Sequence, residues 1–296
     1  MTTSTKKADL HMHSTASDGV YTPKELMRKC ADAGLRIVSL TDHDTTSGAK
    51  EAQHAAAAAG MTFITGIELS TRVRGASVDI LGYGIDPEDK ALQEKLAFHR
   101  SQRLKRMEIM VQKCREQGFD IELEDVRKYA KGDTLSRPHV AKVMVEKGYV
   151  ADVKEAFDKY ISQGKPCYVA KEKELEPREA AELIHQAGGI AIVAHPILYS
   201  IDDLIYEWLT DGWLDGIEVY HRDHDEAAVQ RFSTIAAQAE VAGGRKVLRT
   251  GGSDFHHESF GREGEEIGTT KLPYEHAEWL LKHLQEKGKA AVQRKD

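Results

Sequence analysis

An alternation of short apolar segments with helical stretches, broken once in the middle, limits this chain to few folds. Segments of strand length run over 8–13, 37–41, 62–69, 78–85, 190–194, 214–220 and 246–250. Most are separated by stretches with helical starts and stops. Thr22-Pro23-Lys24-Glu25 is a capping-box pattern with proline at the first helical position, and Gly34 ends that helix. Glu176-Pro177 opens another, which stops at Gly188-Gly189, and a terminal helix is predicted from Tyr274 onward. Apolar strands alternating with helices predict an α/β fold, a mainly parallel sheet covered by helices. From 87 to 165 the alternation fails and only helical patterns remain: a long one over 90–116, and another opened by Ser136-Arg137-Pro138-His139. The expected organisation is one domain built from 1–86 and 166–296, with 87–165 as an inserted all-helical subdomain.

The polar residues fall at the ends of the apolar segments. His11 and His13 are two apart, so on a strand both imidazoles leave the same face. Alone, the pair could be a polar strand edge. Asp42-His43-Asp44, Glu68, His195-Pro196, Asp254 and His256 also lie at or just past predicted strand ends. Each has an ordinary reading as a loop, a cap or a turn. Together they predict one shared metal site, because that edge of α/β sheets and barrels carries the chemistry. The donors are imidazoles and carboxylates without a thiolate, which suits manganese, zinc or iron. They exceed what one ion needs, and Glu68 is the first candidate to bridge two. Clustered divalent ions turn water into hydroxide near neutral pH, neutralise phosphoryl oxygens and hold attacking and leaving groups in line. A phosphate ester is therefore the expected substrate, attacked by hydroxide at phosphorus.

Other chemistries lack their motifs. There is no phosphate-binding Gly-x-x-x-x-Gly-Lys loop and no Gly-x-Gly-x-x-Gly after a strand; Ser253 is not in a Gly-x-Ser-x-Gly elbow, and His-Glu-x-x-His is absent. A net charge of -7 argues against coating long duplex nucleic acid. The three cysteines, Cys30, Cys114 and Cys167, have no paired spacing and read as reduced thiols. No apolar run reaches membrane-spanning length, and no apolar signal region precedes the first strand, so a cytoplasmic protein without a membrane partner is expected.

Asp9-Leu10-His11-Met12-His13-Ser14 with Asp18-Gly19, Leu40-Thr41-Asp42-His43-Asp44, Gly66-Ile67-Glu68, Ala194-His195-Pro196 and Gly252-Ser253-Asp254-Phe255-His256 resemble, in order, the motifs of the PHP (polymerase and histidinol phosphatase) family. The resemblance implies a distorted seven-stranded (β/α)7 barrel with two or three divalent ions. By the same resemblance His11, His13, Glu68 and Asp254 hold one ion, Asp18, His43 and His256 a second, and Glu68 bridges to a third held by His195. Asp18, His43, Glu68 and His256 form the implied catalytic set, and Asp42 looks like the partner that orients neighbouring imidazoles. One position departs: where similar members often carry a histidine as a third-ion ligand, this chain has Asp79. Its oxygen can still ligate; otherwise Asp79 only caps a turn.

The helical insert carries Arg100, Arg103, Lys105 and Arg106. Arg100 and Arg103 share a helix face and suit phosphate oxygens, unless the face is simply solvated. Arg137 and His139 follow Ser136 at a helix start, where free N–H groups favour anions. The insert looks like that of PHP phosphoesterases that remove the 3′-phosphate of nucleoside 3′,5′-bisphosphates or trim short RNA from its 5′ end. That likeness implies a small phosphorylated nucleotide or short oligonucleotide as partner, held by Arg100, Arg103 and Arg137. His221 and His224 are either pocket-lining or loop residues. The competing expectations are histidinol-phosphate phosphatase, metal-dependent amide hydrolysis and a noncatalytic, metal-stabilised module.

Overall fold

The structure, a computed structural model, describes residues 6–129, 135–170, 175–258, 266–269 and 271–293. It divides into two compact units, Met1–Gln93 with Leu175–Asp296, and Glu94–Glu174. No helix among the described residues is long and apolar enough to cross a membrane.

Seven described strands of the first unit form one sheet in sequence order: β1 (Lys7–Asp9), β2 (Leu35–Leu40), β3 (Thr62–Val73), β4 (Ala76–Tyr83), β5 (Ile190–Val193), β6 (Gly216–His221) and β7 (Leu248–Gly252). Helices α1 (Pro23–Asp32) and α2 (Ala49–Ala58) follow the first two strands. α1 starts with the capping box read from the sequence, Thr22 and Glu25 each bonding the other's backbone. Its Leu26, Met27 and Cys30 pack with Met12, Val38 and Leu40 from the sheet.

The alternation is not complete. β3 and β4 are the arms of an antiparallel hairpin with no helix between them, and β4 also runs antiparallel to β5. Arg74 and Gly75, with φ of 49° and 85°, make the connection. Two consecutive positive φ values give a turn whose twist matches that of the strands. The other described pairs are parallel.

The first and last strands nearly close the sheet into a barrel. Leu10 N–H donates to Gly251 O at 3.3 Å and Asp254 N–H to His11 O at 2.8 Å. Asp9, fully buried, accepts from the backbone N–H groups of Ser253 and His11 through Oδ1. Burial pushes its carboxyl up to about 6. The seam is tight: a Cβ on Gly252 would lie 2.4 Å from both N and Cβ of His11. Gly252→Ala must therefore push β7 away from β1. A loss of about 1–3 kcal/mol is expected from such overpacking, together with weaker metal binding, read by urea denaturation and metal content. Unchanged values for both would mean that the seam yields freely. Leu10, Ile37, Ile64, Leu81 and Ile192 fill a core completed by Ala277 and Leu280. These last two belong to α10 (Tyr274–Gln293). α7 (Pro177–Gln186), α8 (Asp202–Asp211) and α9 (Glu226–Gly243) supply the remaining helices of this unit.

The second unit holds most of α3 (Lys90–Glu116), then α4 (Leu123–Tyr129), α5 (Arg137–Glu146) and α6 (Val153–Ala156), which runs into a π turn over Phe157–Ile161. It has its own core, with Met107, Met110, Cys114, Val140 and Met144 at its centre. Ser136 caps α5, its N–H donating to His139 Nδ1 at 3.2 Å. The Arg137 guanidinium lies over the Phe157 and Tyr168 rings, 5.5 and 5.9 Å from their centroids.

Candidate metal centre

Segments following four strands and one strand interior build the centre. β1 ends at Asp9, and the extended chain beyond it presents His11 and His13. β2 ends at Leu40 and is followed by His43, which bridges to Glu68. Glu68 is not at a strand end as expected but inside the long β3. His195 follows β5, and Asp254 and His256 follow β7. Asp44, His195 and Asp254 have φ of 52°, 22° and 49°. Non-glycine residues are held in that region only where their surroundings enforce it, and such strain clusters at functional sites.

The predicted residues come together in four overlapping groups whose donor atoms lie within 4.8 Å of one another: His13, Asp18, His43 and His256; His11, Glu68 and His195; His11, His13 and Asp254; and His43, Glu68 and Asp79. Glu68 belongs to two of these groups and faces four histidines. Its Oε2 is 3.4 Å from His11 Nε2, 3.3 Å from His13 Nε2 and 3.1 Å from His43 Nδ1. Its Oε1 is 3.0 Å from His195 Nε2. Asp254 Oδ1 is 3.1 Å from His13 Nε2, and Asp18 Oδ1 is 3.3 Å from His256 Nε2. His11, His13 and Glu68 side chains are fully buried, whereas Asp18 and His43 are 35% and 23% exposed, so the cluster opens to solvent on their side.

The residues fit a cation. His11 Nε2, His13 Nε2, His43 Nδ1 and Glu68 Oε2 are buried and lack hydrogen-bond geometry to any described partner, although they face one another. A protein interior ordinarily satisfies such atoms. Converging donors without a shared proton are what an ion requires. The charge states of His13 and Glu68 agree. Burial, with His256 next, pushes His13 down to about 3, so it is a neutral donor. Burial would raise Glu68, but His43 and His11 outweigh it and hold the carboxylate well below its usual range. His195 is opposed by burial yet held up at about 9 by Glu68, so it carries a proton that a cation must displace.

Several groups that the sequence did not reveal support the donors. Glu218, fully buried on β6, takes His11 Nδ1 on Oε1 at 2.9 Å and accepts His195 N–H on Oε2 at 2.7 Å. Burial opposes its charge, but His11 overrides that and brings it to about 2. A lone acid in an apolar strand was the available signal. Buried Arg222 donates from Nη2 to Asp254 Oδ2 at 2.7 Å and from Nη1 to Ser253 O at 2.8 Å. Tyr199, in the loop after His195, had no sequence signal; its hydroxyl lies 2.8 Å from His195 Nδ1.

Asp42 does not perform the role expected of it. Oδ1 accepts from Ser14 N–H and the Ser17 hydroxyl, and Oδ2 from the Ser14 hydroxyl, each at 2.7 Å. It fixes the loop between His13 and Asp18, while the carboxylate that orients an imidazole is Glu218. His221 is fully buried, its Nε2 3.5 Å from Asp254 Oδ2. His224 is also buried, with Nδ1 2.7 Å from Val219 O and its ring near Phe232. Arg100, Arg103, Ser136, Arg137 and His139 belong to the helical unit.

Comparison with known proteins adds to this geometry. A family model described as the PHP domain matches residues 9–289. The chain is 35% identical over 257 residues to a 5′-3′ exoribonuclease of Haemophilus influenzae, covering 85% of this chain and 90% of the relative. It is 35% identical over 277 residues to a 3′,5′-nucleoside bisphosphate phosphatase of Chromobacterium violaceum, covering 89% and 91%. A solved structure described as an amidohydrolase from Chromobacterium violaceum, with bound sulfate and no metal, superposes with a TM-score of 0.78 at 34% identity over 90% of this chain and 92% of that one.

Proposed function

The chain belongs to the PHP domain family, and on that premise we propose that it is a metal-dependent phosphoesterase acting on phosphorylated nucleotides. Its substrates are nucleoside 3′,5′-bisphosphates, which lose the 3′-phosphate, short oligoribonucleotides trimmed from the 5′ end, or both. The observation that carries this reading is the set of four overlapping donor groups, two of which contain Glu68. Relatives named for both activities support it.

In this reading His11, His13, Glu68 and Asp254 hold one ion and Asp18, His43 and His256 a second. Glu68, His195 and Asp79 serve a third. Manganese, zinc and iron all suit the donors. Such ions would supply charge neutralisation for a phosphoryl group and acidify a water. The protein's own part is orientation. Glu218 fixes the His11 ring, Arg222 fixes the Asp254 carboxylate, and Asp42 fixes the loop that carries Asp18. Asp18 and His43, the solvent-facing members, meet the phosphate first.

The test is phosphate release from a nucleoside 3′,5′-bisphosphate, a nucleoside 5′-monophosphate, a short RNA and histidinol phosphate, each with manganese and with zinc. Turnover of the bisphosphate or RNA far above the others is expected. Preference for histidinol phosphate would overturn the substrate class, and no release from any of them would overturn the enzyme. We further propose that Arg100 and Arg103 bind substrate phosphate. Losing a charged hydrogen-bonding partner costs about 1.5–3 kcal/mol. Arg103→Ala should therefore raise KM roughly 10- to 100-fold with kcat nearly unchanged. A lost kcat at constant KM would contradict the role.

A further inference from the structure

The Tyr199 hydroxyl sits among three polar groups. It accepts Asp79 N–H at 2.9 Å, faces His195 Nδ1 at 2.8 Å, and lies 3.5 Å from Asp79 Oδ2. On the far side of the ring, His195 Nε2 faces Glu68 Oε1 at 3.0 Å. A neutral imidazole has one N–H and one lone pair, and the bond made by one nitrogen decides what the other can do.

With the ring neutral, as ligation of a cation requires, two arrangements satisfy the Tyr199–His195 contact. In the first, the phenol donates to Nδ1. The ring proton is then on Nε2, directed at Glu68, and His195 offers no lone pair to an ion there. In the second, Nδ1–H donates to the phenol oxygen, which already accepts from Asp79 N–H. The phenol must then send its own proton elsewhere, and Asp79 Oδ2, at the long end of hydrogen-bond range, is the acceptor in reach. Only the second arrangement leaves the Nε2 lone pair free beside Glu68.

We propose that Tyr199 is a positioning residue that holds His195 with Nε2 free for a cation, with the Asp79 carboxylate receiving the phenol proton. The proposal rests on the metal-dependent reading of the cluster. It gives Asp79 a task through one oxygen whether or not the other ligates. An apolar side chain at 79 would remove that acceptor and favour donation to Nδ1, which is the arrangement that blocks binding.

The test uses the full chain loaded with zinc, which is diamagnetic. Long-range 1H–15N spectra identify the protonated nitrogen of each histidine, and His195→Ala assigns the signal. The expected result is a proton on Nδ1 of His195. In Tyr199→Phe, zinc affinity measured by chelator competition should fall 10- to 100-fold for one ion per chain, as it does when such outer partners are removed. The circular dichroism should not change. A proton on Nε2 of His195 in the zinc-loaded wild type would overturn the proposal. So would unaltered zinc stoichiometry and affinity in Tyr199→Phe. Should that variant not fold, the wild-type spectrum alone decides. Equal zinc content in wild type and His195→Ala would remove the ion at His195, and this proposal with it, while leaving the other ions in place. A wild type that binds no zinc, manganese or iron would instead bring down the metal-dependent function itself.

Discussion

Glu68→Gln is expected to lower turnover by a factor on the order of a thousand or more while the protein stays folded. The side chains have the same shape, so the core around β3 keeps its packing. What changes is charge and valence at the most shared point of the cluster. Glu68 Oε2 faces nitrogens of His11, His13 and His43, and Oε1 faces His195. An amide presents N–H groups to some of these lone pairs and occupies them. It also removes a full negative charge from a buried position between the donor groups. Metal centres stabilise transition-state charge by several kcal/mol, and each 1.4 kcal/mol is about a factor of ten in rate. The measurement is kcat on the preferred nucleotide with saturating manganese, beside metal content and circular dichroism. Activity within tenfold of wild type, at full metal content, would show that Glu68 is not the shared ligand.

The second large effect is on stability. Stripping the protein with a chelator and restoring manganese or zinc should move its melting temperature by on the order of 10 °C. Ligands that bind only the folded state stabilise it by about 4 kcal/mol at a thousandfold excess over Kd. A domain of this size shifts about 2–4 °C per kcal/mol. The donor groups among the described residues all lie in the unit formed by Met1–Gln93 and Leu175–Asp296, whereas Glu94–Glu174 has a core of its own. Scanning calorimetry should accordingly show the ion moving the transition that includes the barrel. If added ions leave every transition in place, the buried cluster is not a metal centre.

Much of this centre could be read from the chain because its donors stand next to apolar strands. His11 and His13, His43, His195, Asp254 and His256 each follow a run that has to enter the core, so the sheet itself gathers them. Glu68 was recognised although its strand continues four residues further than expected, to Val73. The hairpin at Arg74–Gly75 was missed because strand patterns carry no direction, and two residues with positive φ suffice to reverse the chain. Glu218 and Tyr199 were missed for a different reason. Supporting groups act through distances of about 3 Å that no sequence spacing encodes. Asp42 shows the opposite error: its place beside His43 suggested a contact, but its oxygens turn toward Ser14 and Ser17. Within the helical unit, Arg137 stacks on two aromatic rings, an arrangement hidden until helices and loops are packed.

The seam between β1 and β7 has a consequence for the order of events during synthesis. Asp254 and His256 are added more than two hundred residues after His11 and His13. Until then the nascent barrel has an open edge and an incomplete donor set. Closing it joins the two extremes of the sheet, a contact of very large sequence separation, which makes assembly slow. Any hydrolytic power therefore arrives abruptly with the last strand, and fragments released before that point are inert.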